Sequence, residues 1–535
     1  MGIAKMKTLA LLSLVSLSFA SQLPFSAPLS SSFTPPQSAF TPTTISRSIE
    51  LAGSLTRQTT TYQLTQSQSN KGSEWVVGVP GQEGFIEAFE STGGAKKVVK
   101  ITKLGRTTEL TRPTRLSNTT FYSLTPTSQT STFALSSVTS HQSINLPAQL
   151  PQIAEIISLQ WTDDLLSPIN YLSAEDCKLI TEFRVKIKTP TPRIIDIKAP
   201  EGFEAVRSKG AAGVTFFAKS VDGLGPQIAS VHYAQPEAIA SFRKLDRLIE
   251  VSHWGSNVAF MDSIDLINSG PTLSGHFARI DHQKLTMQRR SNFLSITGLT
   301  FSLPAHASSP YYYDIVGNVS TSHFRPSAYS NPLLLPSQKR KNKGGEASVL
   351  EIKPRYPLQG GWNYTFTMGY DAPLADYLKK REDGTFVLAV PFLTPVKDIA
   401  VDDVTVEIRL PEAARNIKVH LPFDVDSLSY PTSPPTLFQS SPGYTHTYLD
   451  STGRPTIKIA RKNCGDRHGG LVIVRYLSLS FLPAFVLLTD GREQIEYTAS
   501  PMLDLLQKPV AIATFFLTLV LAIVGTKRIE WGIGK

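Results

Sequence analysis

The chain has 535 residues, 41% hydrophobic and 18% charged, with 37 prolines, 34 glycines, two cysteines and a formal charge of +10. That length and apolar fraction suit two or three cored domains and exclude disorder throughout. Two cysteines exclude a disulfide scaffold and a four-cysteine zinc site, and the modest charged fraction argues against a long solvated coiled coil.

In chain order, residues 1–20 read as a secretory signal peptide. Lys5 and Lys7 precede the short apolar run Thr8–Phe19, and the small residues Ser18 and Ala20 predict cleavage between Ala20 and Ser21. Residues 21–44 carry no charge, and fifteen of the twenty-four are Ser, Thr or Pro, which predicts a flexible leader.

From Ile45 the pattern is strand-like. Phe183, Val185 and Ile187 alternate with basic residues, and Val404, Val406, Ile408 and Leu410 alternate with polar ones. Similar runs lie at Val98–Thr102, Thr456–Arg461 and Leu471–Tyr476, and the apolar segment Leu477–Leu488 reads as a buried strand. The clearest helical window is Pro236–Arg247, with Ile239, Phe242 and Leu245 on one side. The expectation is a mainly β protein with few helices: two antiparallel, sandwich-like β-rich domains over 45–235 and 236–500.

Val510–Gly525 is uncharged and apolar. With Pro509 and Thr526 it makes a helix of about 27 Å, near the thickness of an endoplasmic reticulum bilayer. Lys527 and Arg528 follow, so the tail 527–535 is expected in the cytosol and the bulk of the chain in the lumen, a single-pass type I topology. Setting aside the charges of the signal and the tail leaves 48 basic and 42 acidic residues. That dilute excess gives no nucleic-acid stripe. The densest basic run, Lys339–Lys343 before Gly344 and Gly345, reads as a solvated loop.

No H-E-x-x-H pair, G-x-S-x-G elbow, P-loop or dinucleotide fingerprint is present. On a strand His276 and His282 would share a face, with Asp281 between them and His253 nearby in sequence, but isolated histidines are the commoner case. Asp163 and Asp164 beside Trp161 would point to opposite faces of a strand, which suits paired catalysis poorly. No catalytic, metal or cofactor site is therefore expected. Whether Cys177 and Cys464 pair stays open. Three sequons, at Asn118, Asn318 and Asn363, are candidate N-glycosylation sites in a lumenal chain.

Four longer strings carry a resemblance: RLIEVSHWG at Arg247–Gly255, YYYDIVGNVSTSHF at Tyr311–Phe324, EIKPRYPLQGGW at Glu351–Trp362 and YTHTYLDSTGRPT at Tyr444–Thr456. In this order, over roughly residues 230 to 460, they resemble the ribophorin I family, the large non-catalytic subunit of the oligosaccharyltransferase complex. The uncharged leader and the Lys339–Gly345 loop depart from the family pattern without touching these strings. The resemblance implies a role in protein N-glycosylation in the endoplasmic reticulum membrane. There the complex moves a preassembled oligosaccharide from dolichyl diphosphate to Asn in Asn-X-Ser/Thr of nascent polypeptides. It implies a multi-span catalytic subunit and other subunits as partners, and a structural and substrate-presenting part for this chain. The small residues Ala511, Ala513, Thr514, Thr518 and Ala522 would allow close helix packing. The competing reading is a stand-alone type I lumenal enzyme or cell-surface receptor. Within the strings, Gly360 and Gly361 read as a turn that lets Trp362 pack, Gly453-Arg454-Pro455 as a hairpin turn, and His253-Trp254 as a core or interface aromatic pair.

Overall fold

The computed structural model describes residues 38–478 outside several segments, the longest being 108–118, 328–346 and 432–442, together with a helix at Pro509–Arg528. Within these residues the chain is mainly β, arranged in several sheets. The signal segment with Ala20 and Ser21, the sequon residue Asn118, the Lys339–Gly345 run, the tail beyond Arg528 and most of Leu477–Leu488 lie outside the described residues.

Two hydrophobic cores organise the fold. One draws on residues between Ala39 and Ile239, the other on residues between Phe242 and Tyr476. The first core is flanked by an eight-stranded sheet that includes Phe40–Ala52, Leu55–Gln66, Thr130–Ser140 and Glu182–Lys188. The alternation at Phe183, Val185 and Ile187 gives strand Glu182–Lys188, with those three side chains buried and the basic ones exposed. Pairing starts earlier than composition suggests. Phe40 is buried and opens the strand Phe40–Ala52, so the last residues of the uncharged leader are ordered against Leu55–Gln66.

The second core lies under a nine-stranded sheet. Its centre is the hairpin of Ala240–Ser252 and Asn257–Asn268, flanked by Asn363–Pro373 on one side and Ala400–Arg409 on the other. The helix expected at Pro236–Arg247 is therefore corrected to a strand. Its cause is a β-bulge: the register shifts between Phe242 and Lys244, so Phe242 and Leu245, three apart, both face the core. The bulge reproduces a helical spacing inside a strand. Beyond it Arg247, Ile249 and Val251 return to period two and are buried.

The sheets are also not purely antiparallel. Phe40–Ala52 runs parallel to Glu182–Lys188, and Ala240–Ser252 parallel to Ala400–Arg409. More than a hundred residues separate the members of each pair, ample for the long crossover that a parallel return requires. The apolar run at Val98–Thr102 is split between strands Ala95–Val99 and Thr102–Thr107. Arg279–Met287 and Pro509–Arg528 are the α-helices among the described residues. In the second, surroundings are described only for residues 513–524, which are exposed. Among the described residues no helix is long and apolar enough to cross a membrane.

At the centre of the second core sits a buried ion pair. Arg247 Nη1 donates to both carboxylate oxygens of Asp262, at 2.9 and 2.7 Å, with both side chains at most 1% exposed. The Thr394 hydroxyl donates to Asp262 at 2.6 Å, and the guanidinium lies 5.0 Å from the centre of the Phe260 ring. A buried carboxylate is tolerated because its charge is matched and its oxygens are hydrogen-bonded.

The two cores meet at polar and apolar contacts. Ser54 accepts from the Ala400 amide at 2.7 Å, Arg57 pairs with Asp398 and with Asp466 (2.8 Å), and Leu55, Val138 and Ala400 form a small cluster. Elsewhere Gln149–Leu150 pairs with Thr272–Leu273, and the Gln152 amide both donates to and accepts from the backbone of Ala278, at 2.9 and 2.8 Å. Cys177 and Cys464 are buried in separate cores and form no disulfide with each other; burial pushes the Cys464 thiol up to about 12.

Two histidines, one buried and one half-buried, stay neutral. His468 lies between the rings of Phe85 and Phe423, and desolvation lowers its pKa to about 3. His253 lies against Phe386 and Tyr476, with Nε2 2.6 Å from the Tyr476 hydroxyl, and desolvation lowers it to about 4.

Two outcomes are expected. Asp262→Asn strands the Arg247 charge and lowers unfolding stability by about 3–5 kcal/mol in denaturant titration, whereas Arg247→Met with Asp262→Leu stays far nearer to wild type. The histidines take up protons on unfolding below their free value of about 6.5. Stability is therefore lost as pH falls from about 6.5 towards 4, by on the order of 3 kcal/mol for His253. His253→Phe flattens that part of a thermal-unfolding pH profile, and a profile unchanged by the substitution contradicts the assignment.

Candidate functional site

The four strings singled out in the sequence converge on one unit and are joined in two pairs by charged contacts. Asp314, in the second string, is 6% exposed. It is bonded by Arg355 Nε from the third string and by the Tyr364 hydroxyl at 2.9 Å, while Tyr312 and Tyr364 share a 2.8 Å hydroxyl contact. Arg355 continues to the carbonyls of Gly317 and Asn318, both at 3.1 Å. Asp314 Oδ1 accepts from the amides of Val316 and Gly317, at 2.9 and 3.1 Å, and closes the turn between Ser308–Asp314 and Gly317–Asn318. Gly317 has φ +133°, which only glycine adopts readily. The Arg355 hydrogen bond, helped by those from Tyr364 and the turn amides, holds the Asp314 carboxyl down at about 2. A rigid tip results, carrying Ile315 and Val316 at 99% and 76% exposure.

Behind the tip the strand alternates. Tyr312 points into the core, while Tyr311 and Tyr313 point outward, each residue about two-fifths exposed. Their rings are 15° from parallel with centroids 6.1 Å apart. Tyr311 lies directly over Gly369: a Cβ there would come within 2.3 Å of its ring.

The remaining motif residues take structural posts. Glu250 of the first string pairs with Arg454 of the fourth, which also reaches Asp450 at 3.2 Å. The His253-Trp254 pair is divided: His253 packs inward, while Trp254 stands 72% exposed on the turn of the central hairpin. Gly360 approaches so closely that a Cβ would sit 1.9 Å from the Pro271 carbonyl oxygen, and Gly361 has φ +79°. That turn sets Trp362 against Phe277 and Tyr356, at 5.5 and 6.1 Å. Gly453, at φ +82°, precedes strand Arg454–Cys464, which pairs with Tyr444–Thr445.

The candidate reactive groups do not assemble. His276 is exposed, His282 is on the helix Arg279–Met287 near Phe277, and His253 is half-buried against Phe386 and Tyr476. Among the described residues no three His, Cys, Asp or Glu side chains group as a metal site. Asp163 pairs with Arg47 at 2.7 Å, and Asp164 accepts from the amides of Leu166 and Gln227 at 3.0 and 2.9 Å. Of the sequon residues, Asn318 and Asn363 are exposed, the latter at the start of Asn363–Pro373 with Thr365 bonded to Asp265 at 3.2 Å. The Asp314–Arg355–Tyr364 cluster and the outward tyrosines escaped sequence reading. Their available signal was the Tyr311-Tyr312-Tyr313 triplet, in which period two makes the outer pair share a face.

The family model described as Ribophorin I matches residues 40–527. Similar relatives include a dolichyl-diphosphooligosaccharide–protein glycosyltransferase subunit 1B of Oryza sativa subsp. japonica. It is 32% identical over 257 residues, 48% of this chain and 47% of that protein. Subunits 1A and 1B of Arabidopsis thaliana are 27% and 26% identical, over 81% and 82% of this chain and 64% and 86% of theirs. The chain thus spans about half the length of the rice relative it matches. A yeast LTA4 hydrolase structure aligns with 42% of this chain and 35% of its own at 12% identity and TM-score 0.24, a likeness too slight to bear on the fold. With the family match running from the first described strand to the last helix, the chain belongs to the ribophorin I family.

Proposed function

We propose that the chain is a non-catalytic subunit of the endoplasmic reticulum oligosaccharyltransferase complex, the assembly that transfers oligosaccharide from dolichyl diphosphate to Asn of Asn-X-Ser/Thr in nascent proteins. The observation that carries this reading is the ribophorin I match over residues 40–527, joined to relatives named as subunit 1 of that glycosyltransferase. On this reading the β-rich body, 45–235 and 236–500, lies in the lumen after removal of residues 1–20 between Ala20 and Ser21. The helix at 509–526 crosses the bilayer and 527–535 faces the cytosol. The uncharged apolar run Val510–Gly525, followed directly by Lys527 and Arg528, is what supports the span.

The chemistry of transfer then belongs to a multi-span partner, and this chain presents or retains nascent polypeptides beside it. Exposed groups held on a stiff frame, such as Ile315, Val316 and Trp254, suit binding to partners. Asn118, Asn318 and Asn363 serve as glycan acceptors in the same lumen.

Affinity purification of the full chain in mild detergent is expected to recover a multi-span subunit in fixed ratio, identified by mass spectrometry, and glycans that stay sensitive to endoglycosidase H. Recovery only as a free monomer bearing late-Golgi glycans would overturn the proposal in favour of a stand-alone lumenal enzyme or receptor.

A further inference from the structure

We propose that Tyr311 and Tyr313 form a saccharide platform that seats the first N-acetylglucosamine of a glycan on the chain's own Asn318. The inference rests on the reading that the β-rich body is lumenal and that its sequons are acceptors.

Strand register brings the acceptor and the rings together. Tyr313 lies directly opposite Asn318 in an antiparallel pair, so the two side chains share a face with Cβ atoms about 5 Å apart. Along the sequon the burial alternates: Asn318 is exposed, Val319 is 5% exposed in the core, and Ser320 is exposed. The acceptor amide and the sequon hydroxyl therefore belong to residues open to solvent, while Val319 pins the backbone between them.

That backbone is held firmly. Arg355 bonds to the carbonyls of Gly317 and Asn318, and the Asp314 carboxylate holds the turn amides on the other side. A sugar joined to Asn318 Nδ2 thus starts from a fixed point beside the Tyr313 ring. The second ring, nearly parallel and seated on Gly369, extends the same surface along the strand. The weakly positive C–H hydrogens on one face of an N-acetylglucosamine ring complement the negative face of a tyrosine. The chain's own glycan is favoured over a free saccharide because its attachment point is built beside the rings, which removes the entropy of bringing the ligand to them.

The test uses the full chain made in eukaryotic cells. Peptide mass spectrometry first measures occupancy of Asn318. Hydroxyl-radical footprinting of the wild-type protein before and after enzymatic deglycosylation then reads the rings directly. Oxidation of Tyr311 and Tyr313 is expected to rise severalfold once the glycan is removed, with exposed Trp254 unchanged as the internal control. In parallel, Tyr313→Ala is expected to speed native release of the Asn318 glycan by peptide-N-glycosidase about fivefold, the scale of one aromatic contact, while Tyr313→Phe releases at the wild-type rate.

An unoccupied Asn318 overturns the platform outright. So does an occupied Asn318 whose removal leaves both tyrosines equally reactive. Either failure leaves recovery with a multi-span partner to be judged separately, so the platform and the subunit role fail independently.

Discussion

The pairing of Arg247 with Asp262 is the constraint around which the second half of the molecule is built. Both residues sit on adjacent strands of the central hairpin and face inward, where an unmatched charge would cost several kcal/mol. A slip of one residue in either strand would separate them and turn each strand's apolar set to solvent. The pair therefore fixes a register that is handed outward. On one side it passes through Asn363–Pro373 to Ser308–Asp314, and from there to Asn318 opposite Tyr313. On the other it passes through Ala400–Arg409 to Arg454–Cys464.

That second path ends at the contacts between the two cores. Ala400 opens the parallel strand and donates its amide to the Ser54 hydroxyl, while Asp466 follows Arg454–Cys464 and accepts from Arg57. The same ladder that positions the exposed motifs thus also joins the N-terminal β unit to them. Surface ion pairs such as Arg57–Asp466 contribute little alone. Here they flank a small apolar cluster and a buried hydroxyl contact, so geometry is set by several groups at once. Within the oligosaccharyltransferase reading, such a body serves as a stiff frame that holds binding groups at fixed positions while the reactive chemistry takes place elsewhere.

Much of this was legible from residue order where a single rule governed. Glu182–Lys188, Ala400–Arg409 and Leu471–Ser478 follow from period-two burial, because one face of each strand is packed. Pro236–Arg247 was misread because one bulge inserts an extra residue and mimics a helical spacing, a choice made by the neighbouring strands rather than by local preference. The His253-Trp254 pair looked like a unit, yet a turn sends its two rings to opposite environments. Contacts such as Ser54 with Ala400 join residues more than three hundred positions apart, and Arg355 meets Asp314 across a long intervening segment. No local pattern encodes such meetings. The family strings were legible as identities, but the reason they belong together became visible only as ion pairs: Asp314 with Arg355, and Glu250 with Arg454.

The Arg247–Asp262 hairpin is the most firmly held part of the second unit, and native-state hydrogen exchange of the full chain reads this directly. Amides of Leu245–Ile249 and Phe260–Ile264 are expected to be the slowest to exchange there, opening only with global unfolding. Exchange of these amides as fast as those of the exposed turn at Ile315 and Val316 would contradict it.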